Sequence, residues 1–347
     1  MRGLRTISAI AFSFVAFASA FSASPAFAAP ACGPLAMLTS LDLVTVSGGR
    51  PGVSATIADK PTTLLVDTGS PFSMINRQVA RDLNLPVGPA RIAGGQGRVE
   101  LRNVQGKRSE EQARLPSITL GRLRQEGVYF FVDPNDAPAE RRSFDGIIGE
   151  DMLTNVDADF DFGGKKLNLI SQNHCDGKVV YWAAPAVAVI PFHFDRGGHI
   201  AFSLRLDDKR VNAILDTGAY NTVLNLNVAR RTFNVDTNAP DLQKIGELQG
   251  GFTASVYRKQ FKTIALEGVT VLNPEIDLLP DMTSNPARPT LGAGSLIRDT
   301  DADLPDVILG MNVLSKLHLY IAYKEAKLYV TAAGTPSGAP AQGQPAQ

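Results

Sequence analysis

The triplet Asp-Thr-Gly occurs twice in this chain of 347 residues, each time at the end of an apolar run: Leu64-Leu65-Val66-Asp67-Thr68-Gly69-Ser70 and Ala213-Ile214-Leu215-Asp216-Thr217-Gly218-Ala219. A single such triplet arises by chance in on the order of one chain in ten at ordinary composition. Two with matching flanks do not. Placing Asp67 on Asp216 fixes an offset of 216 − 67 = 149, at which Ile57 meets Leu206, Asp59 meets Asp208, Lys60 meets Lys209 and Asn76 meets Asn225. Each copy therefore reads as an alternating strand, a tight turn holding Asp-Lys, and a second strand that ends on the acid.

A later element repeats as well. Asp145-Gly146-Ile147-Ile148-Gly149 answers Asp306-Val307-Ile308-Leu309-Gly310 at an offset of 310 − 149 = 161, and Lys166-Leu167 answers Lys327-Leu328 at the same spacing. The second copy thus carries about twelve more residues between its two motifs. Helical signals are short and fall at equivalent places: Asn76–Leu83 and Asn225–Thr232 after the triplets, Gly149–Asn155 and Gly310–Leu317 after the glycines. The pattern is that of a whole unit duplicated in one chain, and the length suffices for two cores.

With both motif pairs in view, the chain resembles the aspartic proteases of the pepsin and retropepsin type, over nearly everything between Leu41 and Val330. The resemblance implies an all-β protein: two pseudo-symmetric β-barrel lobes of the retropepsin-like acid-protease fold with a central substrate cleft. It assigns an N-terminal lobe to residues 29–172, a connector to 173–188 and a C-terminal lobe to 189–331, while residues 332–347, rich in Gly, Pro, Ala and Gln with no apolar periodicity, read as a disordered tail.

The same resemblance implies an aspartic endopeptidase in which Asp67 and Asp216 together activate a water. Two carboxylates sharing one proton supply both a base and an acid, because like charges so close cannot both ionise cheaply. Gly69 and Gly218 are expected to bring the backbone close to the acids. Thr68 and Thr217 are expected to bond across to the opposite loop, and Ser70 to donate to Asp67 where Ala219 cannot serve Asp216. Gly95-Gln96-Gly97 and Gly250-Gly251-Phe252 are candidates for the flap over the substrate. Ile147-Ile148-Gly149 and Ile308-Leu309-Gly310 are expected to pack behind the acid loops. The alternative is a catalytically silent peptide-binding protein of the same bilobal form.

Composition limits the partners. With 34 basic and 34 acidic residues and no basic stripe, nothing invites nucleic acid. The resemblance implies a peptide or protein substrate and a monomer. Arg2 and Arg5, an apolar run from Ile7 to Phe21, and Ala26-Phe27-Ala28 have the order of a cleaved secretory signal over residues 1–28, with an uncleaved membrane anchor as the alternative. The protein is then periplasmic or secreted, with no obligatory membrane contact. Cys32 and Cys175 are the only cysteines, and an even pair in an exported chain reads as one disulfide.

Other features suggest less. No metal and no cofactor is expected: the four histidines, His174, His193, His199 and His318, lack metal spacing, and Asp299 to Asp303 lacks the glycine and terminal glutamate of a calcium loop. Asp157, Asp159 and Asp161 alternate with Phe160 and Phe162, the pattern of a strand with one wet face. Pro280 to Asp306 reads as a long loop covering the cleft or the second lobe.

Overall fold

The computed structural model describes residues 32–91, 100–102, 108–133, 143–240, 242–249, 253–280, 292–294 and 305–334. The expected signal segment, both flap candidates, the Asp299 to Asp303 run and the tail beyond Gly334 lie outside the described residues. The rest is built from strands, with four short helices: α1 (Arg77–Asp82), α2 (Glu150–Leu153), α3 (Leu226–Phe233) and α4 (Met311–Leu314).

In the first half, six strands close a ring. Arg50–Ile57 pairs with Lys60–Val66, which runs parallel to Gly146–Ile148; that strand pairs with Met74–Asn76, then Leu123–Asp133, then Glu111–Leu120, which returns to Arg50–Ile57 through Thr56↔Thr119. Closure removes free strand edges and encloses Val53, Ile57, Leu64, Ile75, Leu115, Phe130 and Val132. The opening hairpin turns on Ala58 and Asp59, both at positive φ (50° and 62°), a two-residue turn whose twist suits the flanking strands.

The second half repeats the path from Ile200–Leu206 through Lys209–Leu215, Val307–Leu309, Val223–Asn225 and Glu275–Leu279 to Thr253–Gln260. Its first hairpin turns on Asp207 and Asp208 at φ 44° and 64°, the counterparts of Ala58 and Asp59. One difference stands out. The long first-half hairpin of Glu111–Leu120 and Leu123–Asp133 is here cut into two shorter pairs, Thr253–Gln260 with Glu275–Leu279 and Thr263–Leu266 with Val269–Leu272. Pro274 sits at the cut, where a strand cannot take its missing N–H. Bonds from Phe261 N–H to Pro274 O (3.0 Å) and from Asn273 N–H to Lys262 O (2.8 Å) bridge it.

A shared sheet joins the halves. Ala188–Pro191, Lys327–Ala332, Leu317–Ala322, Asp157–Asp161, Lys166–Ile170 and Met37–Val46 lie side by side, and Ala158↔Ile321 to Asp161↔His318 is the seam between first-half and second-half strands. The last strand runs through Ala332, the residue at which the tail was expected to begin. The connector is less plain than expected: Val179 and Trp182 are buried against Ile170, Tyr320 and Tyr329. Of the Pro280 to Asp306 loop, the described residues Gly292–Gly294 pair with Glu100–Arg102 of the first half rather than with the second lobe. Cys32 and Cys175 are disulfide-bonded.

The structure corrects the expectation of a wet face on the strand of Asp157 and Asp159. Every residue of Asp157–Asp161 is buried, so the strand has no wet face. Asp157 accepts from His174 Nε2 (2.7 Å), the Tyr320 hydroxyl (3.0 Å) and Tyr323 N–H (3.1 Å). Asp159 faces His318 Nε2 at 2.6 Å and accepts from Asn168 (2.9 Å) and the Tyr181 hydroxyl. Trp182 stacks on the His318 ring at 4.1 Å. Carboxylates survive burial when charge and lone pairs are met by partners of this kind.

Candidate active site

The strands Lys60–Val66 and Lys209–Leu215 deliver Asp67 and Asp216 as their first residues beyond the pleat. Each loop is anchored from behind by the parallel strand of the later motif: Asp67 N–H donates to Ile148 O (3.0 Å) and Asp216 N–H to Leu309 O (3.1 Å). The glycines that end those strands fit under the loops. A Cβ on Gly149 would lie 2.6 Å from Ser70 O, and one on Gly310 2.5 Å from Asn221 O. Ser73 and Thr222 complete the support in parallel. Each hydroxyl accepts from the glycine N–H (3.0 and 3.1 Å) and donates to the next helix, to Asp151 (2.6 Å) in the first half and Asn312 (2.8 Å) in the second. Asn76 and Asn225 cap α1 and α3, accepting from Gln78 N–H and Asn227 N–H at 2.9 and 2.8 Å, which explains their matched positions.

The two loops meet. Thr68 N–H donates to Thr217 Oγ1 at 3.0 Å and Thr217 N–H to Thr68 Oγ1 at 3.1 Å; the hydroxyls then donate to Leu215 O (3.1 Å) and Val66 O (2.7 Å). Both threonines are fully buried. Gly69 and Gly218 each back onto the opposing acid: a Cβ on Gly69 would sit 2.3 Å from the carboxyl carbon of Asp216, and one on Gly218 the same distance from that of Asp67. Only glycine leaves room for the opposing acid. The structure thus brings Asp67, Thr68, Gly69, Asp216, Thr217 and Gly218 into one cluster, with the acids part-exposed at its surface but ringed by protein.

Ser70 departs from expectation. Its hydroxyl donates to Phe72 O (2.8 Å), not to Asp67, whose close donor is Gly69 N–H (2.9 Å). Asp216 instead accepts from Ala219 N–H at 2.8 Å. The asymmetry between the acids comes from backbone donors rather than from the serine. Burial drives Asp67 well above the ordinary carboxylate range, helped by the negative charge of Asp216. Burial also raises Asp216, while Ala219 N–H, Asp67 and Gly218 N–H pull it back. The pair is built to hold a proton.

A third carboxyl, unremarked in the sequence, stands nearby. Glu150 opens α2 with 4% of its surface exposed; Tyr323 donates to Oε1 at 3.3 Å, and Oε2 has no hydrogen-bond partner among the described residues. Burial raises it well above its usual range, and the charge of Asp67 adds to this. Its second-half counterpart, at the 161-residue offset, is Met311, so only a comparison of unlike residues could have found it. A separate cavity of about 590 Å³ opens beside α1, lined by Arg77, Arg81 and Glu111, and shares no residue with the acid cluster.

Two duplicated β units meeting at paired Asp-Thr-Gly loops define a bilobal acid-protease fold. The aspartyl protease family matches the chain at residues 53–152 and 202–313, more than half of its length and one stretch in each half, and the chain belongs to that family. No curated protein matches it significantly.

Proposed function

We propose that the chain is an aspartic endopeptidase whose working group is the pair Asp67 and Asp216. The observation that carries this reading is the reciprocal approach of Gly69 to Asp216 and of Gly218 to Asp67, which puts both carboxyls at one point. A water between them loses a proton to the ionised carboxyl as its oxygen attacks the peptide carbonyl carbon. The protonated carboxyl meanwhile donates to the carbonyl oxygen. The tetrahedral diol then collapses, the C–N bond breaks, and the leaving nitrogen takes a proton from the pair. Extended peptide suits a site between two β lobes. Both acids come from one chain, so the monomer is the active form. Arg2, Arg5 and the apolar run behind them, together with the bonded cysteines, support export to the periplasm or beyond.

The test is hydrolysis of unfolded proteins across acid and neutral pH, with and without a transition-state-mimicking aspartic protease inhibitor. Asp67→Asn or Asp216→Asn alone should lower the rate roughly a thousandfold or more with the fold intact. Peptide binding without cleavage by the parent would instead mark a silent binding protein.

A further inference from the structure

Five residues past each acid the two halves differ in kind. At the offset that relates Asp67 to Asp216, Phe72 meets Asn221 and Met74 meets Val223. Strand register carries the match further: Met74 lies beside Phe131, and Val223 beside Asp277. The backbone bonds agree, Phe131 N–H donating to Ser73 O (2.9 Å) and Asp277 N–H to Thr222 O (3.0 Å). One strand further out, Gln112 faces Phe131 and Arg258 faces Asp277. Phe72, Phe131 and Gln112 therefore stand where Asn221, Asp277 and Arg258 stand in the second half. Phe130 and Val132 on either side of Phe131, and Ile276 and Leu278 on either side of Asp277, belong to the core, so the two positions point away from it.

The resulting walls have unlike chemistry. The Phe72 and Phe131 rings lie 5.1 Å apart, tilted at 59°, and with Ala90 and Met74 they form an apolar cluster of their own. In the second half Asn221 donates from Nδ2 to Asp277 Oδ2 (2.7 Å), and Arg258 donates from Nε to Oδ1 (2.7 Å) and from Nη2 to Oδ2 (3.2 Å). The Arg258 side chain keeps 31% of its surface exposed against 11% for Asp277, so a ligand meets the arginine rather than the carboxylate. A guanidinium fixed in this way recognises a carboxylate or amide oxygen.

Each wall begins where its loop touches the other half. Before Phe72 comes Pro71, whose Cβ is 3.4 Å from the place of a Cβ on Gly198. Before Asn221 comes Tyr220, 59% exposed, whose ring is 3.3 Å from the place of a Cβ on Gly48. The walls thus flank the acid pair, one per half, and the repeat that relates the acids relates the walls. An extended peptide held between the acids meets one wall before the bond to be cut and the other after it.

We propose that the walls are two unlike side-chain subsites: Phe72, Met74 and Phe131 select an apolar residue on one side of the scissile bond, and Arg258, held by Asp277, selects a residue ending in a carboxylate or amide oxygen on the other. The proposal rests on the reading of Asp67 and Asp216 as the working pair.

A synthetic octapeptide library offered to the full chain, with cut sites read by mass spectrometry, should show apolar residues enriched on one side of the cut. The other side should be enriched in Glu, Asp, Gln and Asn and depleted of Lys and Arg. Arg258→Gln installs the residue found at the first-half position. It should lower kcat/KM for a Glu-bearing peptide about tenfold or more relative to the Lys-bearing one, and leave the apolar preference in place. Phe72→Asn should flatten the apolar preference and spare the other. The same residue class on both sides in the parent, or an unaltered profile in folded Arg258→Gln, would overturn the proposal. If that variant fails to fold, Phe72→Asn decides, an unaltered apolar side overturning it equally. Retention of the library on immobilised Asp67→Asn is read separately. A parent that cuts nothing, while this variant retains peptides carrying both residue classes, upholds this inference and removes the endopeptidase reading; retention without that preference overturns the inference itself.

Discussion

His318 and Asp159 face each other at 2.6 Å with no exposed surface on either side chain, one on a second-half strand and the other on a first-half strand. The contact lies on the seam that joins the lobes. Removing one partner of a buried pair leaves the other's polarity unmet, which costs about 3–5 kcal/mol. His318→Ala should therefore lower the urea midpoint sharply. Lys166→Ala, which breaks the exposed ion pair with Asp42 on the same sheet, should leave it unchanged. Equal midpoints for the two variants would show that the seam does not depend on the buried pair.

The acid pair makes stability depend on pH in a definite sense. Asp67 and Asp216 are both raised in the folded protein, so between the unfolded and folded values the native chain binds more protons than the unfolded one. Stability is then fully present below the ordinary carboxylate value, about 4, and falls as pH rises through the folded values. Asp67→Asn should match the parent at low pH and become the more stable protein above this range. Glu150, Asp151 and Asp157 are raised by burial too, so part of the slope should persist in the variant. Thermal midpoints taken across this interval check the sign. A parent and variant with parallel curves would contradict it.

The threonine exchange offers a test of how the loops are held in register. Thr68→Val keeps the shape but strands Thr217 N–H and Leu215 O, both buried, at a cost of about 1–3 kcal/mol. Thr68→Ser keeps both bonds and should lie close to the parent in denaturant unfolding. Hydrolysis should fall in the Val variant even under conditions where it is fully folded, because the acids lose their alignment. A folded Val variant with parental activity would argue that the grip serves only stability.

Gly69→Ala should separate fold from function. Its backbone is not in the left-handed region, so the strain comes from the carboxyl of Asp216, 2.3 Å from the new methyl. The chain should fold, and the acids should be pushed apart with loss of activity. Gly88→Ala, with nothing within 4 Å of the added carbon, is the matched control and should be silent. Circular dichroism and hydrolysis measured side by side decide whether the close approach matters.

Much of this was legible in the residues. The offset of 149 located the hairpins, the acids and the helix-capping asparagines, because each depends on local backbone chemistry that a duplication preserves. The strand of Asp157, Asp159 and Asp161 was misread for a physical reason. Alternation signals a half-wet strand only when nothing covers the polar face, and here His318 and Tyr320 arrive from about 160 residues away. Ser70 was misassigned because a hydroxyl's partner depends on the path of its own loop, which turns it to Phe72 O. Gly48-Gly49-Arg50 and Gly197-Gly198-His199 keep the offset too, but Arg50 matched to His199 shows no likeness of side chain that would mark the pair. Nor did spacing indicate that Pro274 would divide a hairpin intact in the other half.

The joining sheet has a consequence for how the two halves could diverge. In a symmetric dimer of one-lobe chains, every substitution is made twice, and the two acids stay equivalent until something asymmetric binds. Here both copies are woven into one sheet and inherited together, so each position can change alone. Arg50 against His199, Glu150 against Met311 and Asp151 against Asn312 are such single-sided changes. Symmetry is broken in the gene before any ligand arrives, and a left and a right are fixed for whatever chain lies between the lobes.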